Sequence, residues 1–218
     1  MRLVAALALV SMTKGVAVSL TACVRRQVLG LAVHDLPLRE VFPTWHVEVR
    51  SGESISVTGT VQDVHRRLAE LNPGWEAEAK ARRANDSGVE RRGKNSGWPA
   101  DANIVCSAAS LPGDGEPGIW TTILSDAINY LSNAVSSPVS GPGPGTCNRV
   151  SCEWDTAVWW CNDRPRVMVM PDITWISDGL RIIKKRNACH EQRSAQIFNP
   201  SSWNVIIGGG INGQQVHC

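Results

Sequence analysis

Two stretches near the amino terminus alternate apolar and polar residues with the period of a β-strand. Trp45 to Val49 and Ser54 to Val57 each predict a short strand. Residues Thr60 to Leu71 predict a helix, because apolar side chains recur there at helical spacing with charged residues between them. The amino-terminal part of the chain is therefore expected to contain a small foldable unit, too short to bury much by itself.

Two more helical patterns follow after residue 116. Pro117 to Val135 carries an apolar stripe at helical spacing, with a proline suited to its first turn. Ser136 to Gly145 contains three Pro and three Gly and cannot continue that helix. Asp172 to Ala188 repeats the helical pattern, and its last turns carry basic residues that complement the helix dipole.

Strand patterns occupy the rest of the carboxy-terminal part. Cys147 to Cys152 and Thr156 to Cys161 predict a hairpin that turns at residues 153–155. Ala195 to Phe198 and Trp203 to Ile207 predict two further strands. The expected fold class is α+β, with a small antiparallel sheet packed against two helices.

Composition excludes several classes of protein. The chain has 218 residues, of which 43% are hydrophobic and 19% charged, so a wholly disordered or collagen-like chain is excluded. A formal net charge of +2 is not the strongly basic balance of a nucleic-acid-binding protein, and no nucleic-acid partner is expected. No apolar run approaches the roughly 20 residues of a membrane span, so no transmembrane segment is expected.

Residues 1–22 have the pattern of a secretory signal peptide. Arg2 precedes the apolar stretch Leu3 to Val10, and small residues suited to signal cleavage follow. The triplet Gly15 to Ala17 fits a cleavage site better than Leu20 to Ala22. A buried amino-terminal helix is the alternative. We therefore expect export and an extracellular location.

Residues 23–92 are interpreted as a pro-segment. Two dibasic pairs, Arg82-Arg83 and Arg91-Arg92, lie in a stretch typical of a protease-accessible linker. A kexin-type processing protease is therefore an expected partner, and residues 93–218 would form the mature domain. The alternative is a solvated basic linker that is never cut. Asn85 begins the sequon Asn-Asp-Ser and is a glycosylation candidate.

The cysteines predict a disulfide framework in residues 93–218. An even number in an exported domain indicates three disulfides, with fifteen possible pairings left open. Cys23 is the seventh cysteine, and removal of the pro-segment would resolve the odd count. The spacings lack paired CxxC clusters, so no metal site and no cofactor are expected. The six cysteines of the predicted mature domain are Cys106, Cys147, Cys152, Cys161, Cys189 and Cys218.

Seven of the nine Trp lie after residue 92, where they either fill a small core or stack on sugar rings. The candidate binding surface is formed by Trp154, Trp159 and Trp160. Since neighbouring residues of a strand point to opposite faces, at most one of Trp159 and Trp160 belongs to the core of a one-sided sheet.

Candidates for acid–base catalysis are scattered. None of them has a recognisable catalytic spacing, and no GxSxG elbow, HExxH motif or P-loop is present. Catalytic residues therefore stay unknown. A secreted ribonuclease would need a His with a carboxylate and a phosphate-binding Arg, a role open to Arg149. The acid–base candidates are Glu153, Asp155, Asp163, Asp178, His190, Glu191 and His217.

A set of strings in the chain carries a family resemblance. In the carboxy-terminal part these strings are Gly141 to Cys152, Ala157 to Asp163, Ile176 to Gly179 and Trp203 to Ile207. In the predicted pro-segment the matching pattern is Gly59-Thr60, Val64-His65, Leu71 and Asn72-Pro73. Together they resemble a group of small secreted cysteine-rich, effector-like proteins of filamentous ascomycete fungi. The layout is also loosely similar to killer-toxin-like and necrosis-inducing domains. The resemblance implies a secreted precursor with a pro-segment.

The resulting prediction is a secreted, disulfide-stabilised effector-like or toxin-like protein. It would bind an unknown host or competitor surface after removal of the pro-segment, without catalysing a reaction. A secreted hydrolase or nuclease is one alternative, which a concave site joining His190 or His217 to a carboxylate would favour. A cell-wall carbohydrate-binding protein is the other, which coplanar exposed Trp side chains would favour.

Overall fold

The computed structural model describes residues 38–85, 97–106, 117–134, 136–191 and 193–218. The predicted signal peptide, Cys23 and the Arg91-Arg92 pair lie outside these residues. Residues 38–85 are called the amino-terminal part below, and residues 97–218 the carboxy-terminal part.

The amino-terminal part contains three strands and two helices. They are β1 (Arg39–Val41), β2 (Thr44–Arg50), β3 (Glu53–Thr58), α1 (Val61–Leu71) and α2 (Trp75–Asn85). The two strands and the first helix that the sequence predicts are confirmed. β2 and β3 form an antiparallel hairpin that turns at Gly52, where a φ of +79° favours glycine.

Helix α1 begins with a capping box. The Thr60 hydroxyl accepts from the backbone N–H of Asp63, while the Asp63 carboxylate accepts from the Thr60 backbone N–H at 2.9 Å. Burial by itself would raise the pKa of Asp63, but the hydrogen bonds from Thr60 and the charge of Arg66 lower it overall. The capping box fixes where the helix begins, and its apolar residues Val61, Val64 and Leu68 are buried.

The carboxy-terminal part supplies two helices and nine strands among its described residues. The helices are α3 (Pro117–Ser132) and α4 (Thr174–Lys185). The first six strands are β4 (Ile104–Cys106), β5 (Pro138–Ser140), β6 (Thr146–Glu153), β7 (Thr156–Asn162), β8 (Met168–Val169) and β9 (Ala195–Asn199). The last three are β10 (Trp203–Gly208), β11 (Gly210–Ile211) and β12 (Gln214–Gln215).

Three sheets organise these strands. The largest has six strands in the order β1-β6-β7-β10-β9-β4, and only its β1–β6 pair is parallel. A four-stranded antiparallel sheet has the order β3-β2-β5-β8, and β11 pairs with β12. Strands of the amino-terminal part therefore belong to both larger sheets.

Both faces of the six-stranded sheet are covered. On one face, α1, α3 and α4 contact its strands, and side chains such as Trp160 and Val205 join the larger hydrophobic cluster. On the other face, Trp159 and Ile206 pack with Val216 in a second cluster. Because alternate residues point to alternate faces, a sheet covered on both sides buries neighbouring residues alike.

The predicted α+β class and the three disulfides are confirmed, with pairings Cys106–Cys189, Cys147–Cys161 and Cys152–Cys218. The expectation of two helices and one small sheet is too simple, since the described residues form four helices and three sheets. Helix α2 occupies part of the stretch interpreted as a linker. The expectation that only one of Trp159 and Trp160 is buried is wrong, because the sheet is not one-sided.

Residues 37–218 form one compact unit in the intact chain. The predicted pro-segment therefore shares both larger sheets with the predicted mature domain. Proteolytic processing stays a prediction.

Candidate functional site

The turn between β6 and β7 places a large aromatic side chain in solvent. Trp154 and Asp155 form this two-residue turn with φ angles of 53° and 49°. Two left-handed residues match the twist of a hairpin, but Asn and Gly usually occupy such positions because a side chain there is strained. Trp154 is 71% exposed, the highest value among the exposed large hydrophobic side chains of the described residues.

Covalent and polar contacts hold this turn from two sides. Next to it, the Cys152–Cys218 disulfide ties β6 to the carboxy-terminal segment. The Cys218 backbone N–H donates to the Asp155 carboxylate at 3.3 Å, and the Thr156 hydroxyl donates to the Trp154 carbonyl at 3.3 Å. Residues 151–156, called the hairpin tip below, are thus a constrained loop.

Helix α1 also contacts the hairpin tip. The Gln62 side-chain amide donates to the Ser151 hydroxyl at 2.9 Å, and its oxygen accepts from the Cys152 backbone N–H at 3.3 Å. One side chain of the amino-terminal part therefore satisfies two polar groups of the hairpin tip.

A shallow pocket with room for about one water molecule lies between α3 and the hairpin tip. Its polar lining comes from Asp126 on α3 and from Ser151, Glu153 and Thr156 on the hairpin. Trp154 also borders the pocket, together with the apolar Ile123, Ala127, Val158 and Ile207. The pocket thus places two carboxylates, which can accept hydrogen bonds, next to the exposed hairpin tip.

The carboxylates of this pocket influence one another. Burial, and then the charge of Asp126, raise the pKa of Glu153 above its usual value. The Glu153 charge, followed by burial and Asp126, also raises the pKa of Tyr130. Glu153 Oε2 is buried and meets no hydrogen-bond donor within the part of the chain that the structure describes.

The Trp surface proposed from the sequence is not formed as a whole. Trp159 and Trp160 are fully buried, so only Trp154 of the three is available to a ligand. Trp120 and Trp203 are also in the core, while Trp98 and Trp175 are half-buried against it. The described residues thus offer one strongly exposed Trp, without the coplanar Trp array expected for a flat glycan-binding face.

Most acid–base candidates lie in structural pairs outside the pocket. Asp155 and His217 approach to 3.9 Å but are strongly exposed, as are His190 and Glu191 at 4.0 Å. Arg149 forms an ion pair with Glu40. The remaining two candidates have polar partners of their own: Asp178 pairs with Arg181, and Asp163 accepts from Asn204.

One pocket residue, Asp126, and its neighbour Tyr130 were missed from the sequence. Asp126 and Tyr130 lie on α3, one helical turn apart, and both interact with the charge of Glu153. Their spacing on a helix is a weak signal, because such a pair is common on any half-exposed helix face. Only the packing of α3 beside the hairpin brings them to Glu153.

The processing candidates are described in part. Arg82 and Arg83 lie inside α2, so a protease that requires an extended backbone would have to unwind its last turn. Asn85 is the last residue of that helix. Cleavage and glycosylation both stay predictions.

Within the described ranges, no group of three or more His, Cys, Asp or Glu is placed to hold a metal ion. None of the helices in those ranges is both long enough and apolar enough to cross a membrane.

Comparison with known proteins gives no further guide, because no family model, curated protein or solved structure matches the chain. The proposed function therefore rests on the chemistry of the hairpin tip.

Proposed function

We propose that the protein is a secreted, disulfide-stabilised effector-like or toxin-like protein that binds an extracellular or host target through the hairpin tip. Trp154 carries this proposal. A Trp that is 71% exposed on a left-handed turn has no role in the core, and its position is strained. Strained residues cluster at functional sites, and Trp is enriched among the residues that dominate binding energy.

Rigidity of the tip supports a role in binding. The Cys152–Cys218 disulfide and the contacts of Gln62 and Asp155 limit the conformations of the loop before a target arrives. A preorganised loop loses less conformational entropy on binding, which raises affinity without additional contacts.

Secretion and processing belong to the same proposal. The signal-peptide pattern of residues 1–22 supports export, and three disulfides are compatible with an oxidising compartment. The dibasic pairs and the resemblance to fungal effector-like precursors support cleavage by a kexin-type protease.

A cell-wall carbohydrate is the second candidate ligand class. Trp154 is exposed next to a pocket that Glu153 and Asp126 also line, and sugars combine apolar faces with hydroxyl groups that can donate to carboxylates. The secreted hydrolase or nuclease gains no comparable support, because the His217–Asp155 and His190–Glu191 pairs are exposed and do not line the pocket.

The test compares two truncations of exposed apolar side chains. Trp154→Ala should weaken binding to target cells or to cell-wall polysaccharide by roughly thirtyfold, the effect of a typical binding hot spot. Val167→Ala, at a side chain that is 58% exposed elsewhere, is the control and should bind like the parent protein. Thermal unfolding of both variants would verify that they are folded. Equal binding by both would contradict the proposal.

A further inference from the structure

The amino-terminal part completes the backbone hydrogen bonding of both larger sheets. β1 lies parallel to β6, with Glu40 opposite Cys147, and the Arg39 backbone N–H donates to the Gly145 carbonyl at 2.8 Å. β2 lies between β3 and β5 in the four-stranded sheet. Without residues 38–58, β6 would lose its pairing with β1 and β5 its pairing with β2, leaving backbone groups unpaired.

Polar side chains form a second set of contacts between the two parts. Glu40 Oε1 accepts from the side chain of Arg149 and from Trp159 Nε1, the latter at 3.1 Å. The Glu40 and Arg149 side chains are only 25% and 18% exposed. Removal of Glu40 would therefore leave a largely buried guanidinium and an indole N–H without this acceptor, which is unfavourable for buried polar groups.

The apolar core crosses the same boundary. Trp45, Val47 and Leu68 are at most 1% exposed and belong to one cluster with residues of α3, α4 and the six-stranded sheet. The ring centroids of His65 on α1 and Tyr130 on α3 are 6.5 Å apart. Residues 93–218 alone would expose the apolar surface that these side chains cover, and a large exposed apolar patch promotes aggregation.

The predicted cleavage sites lie between the two sets of residues that make these contacts. Hydrolysis after Arg83 or Arg92 consumes one water and gives a new carboxylate and a new amine, both beyond the residues just described. The three disulfides join cysteines from Cys106 onward, so none of them links the described amino-terminal part to the remainder. A cut therefore produces two chains whose described contacts are non-covalent.

We infer that the predicted pro-segment is retained after cleavage as a second, non-covalently bound chain, and that the folded secreted form is a two-chain protein. This inference rests on the processing in the proposed function. The retained chain also supports the candidate site, because Gln62 holds the backbone and side chain of the hairpin tip. The amino-terminal chain is thus a structural subunit of the proposed binding site.

The experiment uses the full precursor, cut in two ways. One sample is treated with a kexin-type protease, and a second variant carries a viral-protease recognition sequence inserted between Gly93 and Lys94. Native mass spectrometry and gel filtration should show both chains in one 1:1 particle that separates only on denaturation. A carboxy-terminal chain that elutes alone, monomeric and with the thermal transition of the uncut protein, would overturn the inference.

The two cuts distinguish a failure of the proposed processing from a failure of the two chains to stay associated. A precursor that resists the kexin-type protease contradicts the proposed processing, while the inserted site still determines whether the two chains stay together. As a matched pair, Trp45→Ala should weaken association of the cut chains about a hundredfold, because it empties a fully buried position of the shared core. Lys80→Ala, at an exposed position of the same chain, should leave association unchanged.

Discussion

Glu40 and Arg149 form an ion pair between β1 and β6, 109 residues apart in the sequence. The pair is largely shielded from solvent, and the same Glu40 oxygen accepts from Trp159 Nε1. Charge and backbone pairing therefore act together to fix the parallel edge of the six-stranded sheet.

Glu40→Ala should lower the free energy of unfolding by about 2 kcal/mol, since it leaves Arg149 and Trp159 without a common acceptor. Chemical denaturation would measure the change. In a double-mutant cycle with Arg149→Met, the combined variant should lose less than the sum of the single changes. If the losses of the two single variants simply add, the interaction between Glu40 and Arg149 does not stabilise the fold.

Gly179→Ala should destabilise the protein, although the same change in an exposed helix interior usually adds about 1 kcal/mol. A methyl group at this position of α4 would lie 2.8 Å from the Trp98 ring and 3.3 Å from Ile197. The Trp98 ring has little room to move, because Nε1 donates to the Trp175 carbonyl at 2.7 Å and the ring packs on Trp203.

The expected loss for Gly179→Ala is roughly 1–3 kcal/mol, the range for overpacked cores. Thermal unfolding would detect it. Trp98→Leu in the same background should recover part of the loss by making space. A rise in melting temperature for Gly179→Ala alone would mean that Trp98 is free to shift.

Glu153→Gln should stabilise the protein at neutral pH and leave it unchanged in acid. The pKa of Glu153 is raised in the folded state, so its stabilising contribution is complete below the ordinary value of 4.5 and is lost as pH rises through the folded pKa. Glutamine stays neutral and avoids that loss. Denaturant unfolding of the variant and the parent protein should therefore show a gain in stability for Glu153→Gln at about pH 7 and none at about pH 4.

The control for this pH effect is Glu76→Gln, at an exposed carboxylate of α2 away from the pocket. It removes one carboxylate at an exposed site and provides the baseline with which the pH dependence of Glu153→Gln is compared. A gain for Glu153→Gln that is equal at both pH values would point to altered packing instead of charge.

Thr60→Ala should cost about 1 kcal/mol, because it removes the side-chain cap of α1. Thr60→Ser keeps the hydroxyl and should restore most of the stability. Urea denaturation would compare the two variants. Equal losses for Ala and Ser would assign the effect to the missing methyl group.

The sequence predicted those helices and strands whose apolar residues recur with a regular period. The α1 helix, the β6–β7 hairpin and the β9–β10 pair are visible as periodic apolar positions, and their observed bounds differ from the predicted ones by a few residues. Helix α2 was missed although its sequence is rich in Ala, Glu, Lys and Arg, residues of high helix propensity.

The shared core and the pocket depend on contacts between distant segments. Trp159 and Trp160 are both buried because helices cover one sheet face and the segment near Val216 covers the other. The uninterrupted apolar run of β7 is typical of a strand covered on both faces and could have indicated this. The position of Asp126 beside Glu153 had no local signal, since it follows from how α3 packs.

The spacing of the disulfides also sets an order for biosynthesis. Cys147 and Cys161 are 14 residues apart within one hairpin, whereas Cys152 must wait for Cys218, which is synthesised 66 residues later. A nascent chain can therefore close the base of the hairpin well before its end is locked. The surface around Trp154 can therefore be fixed by its disulfide only after Cys218 has been synthesised.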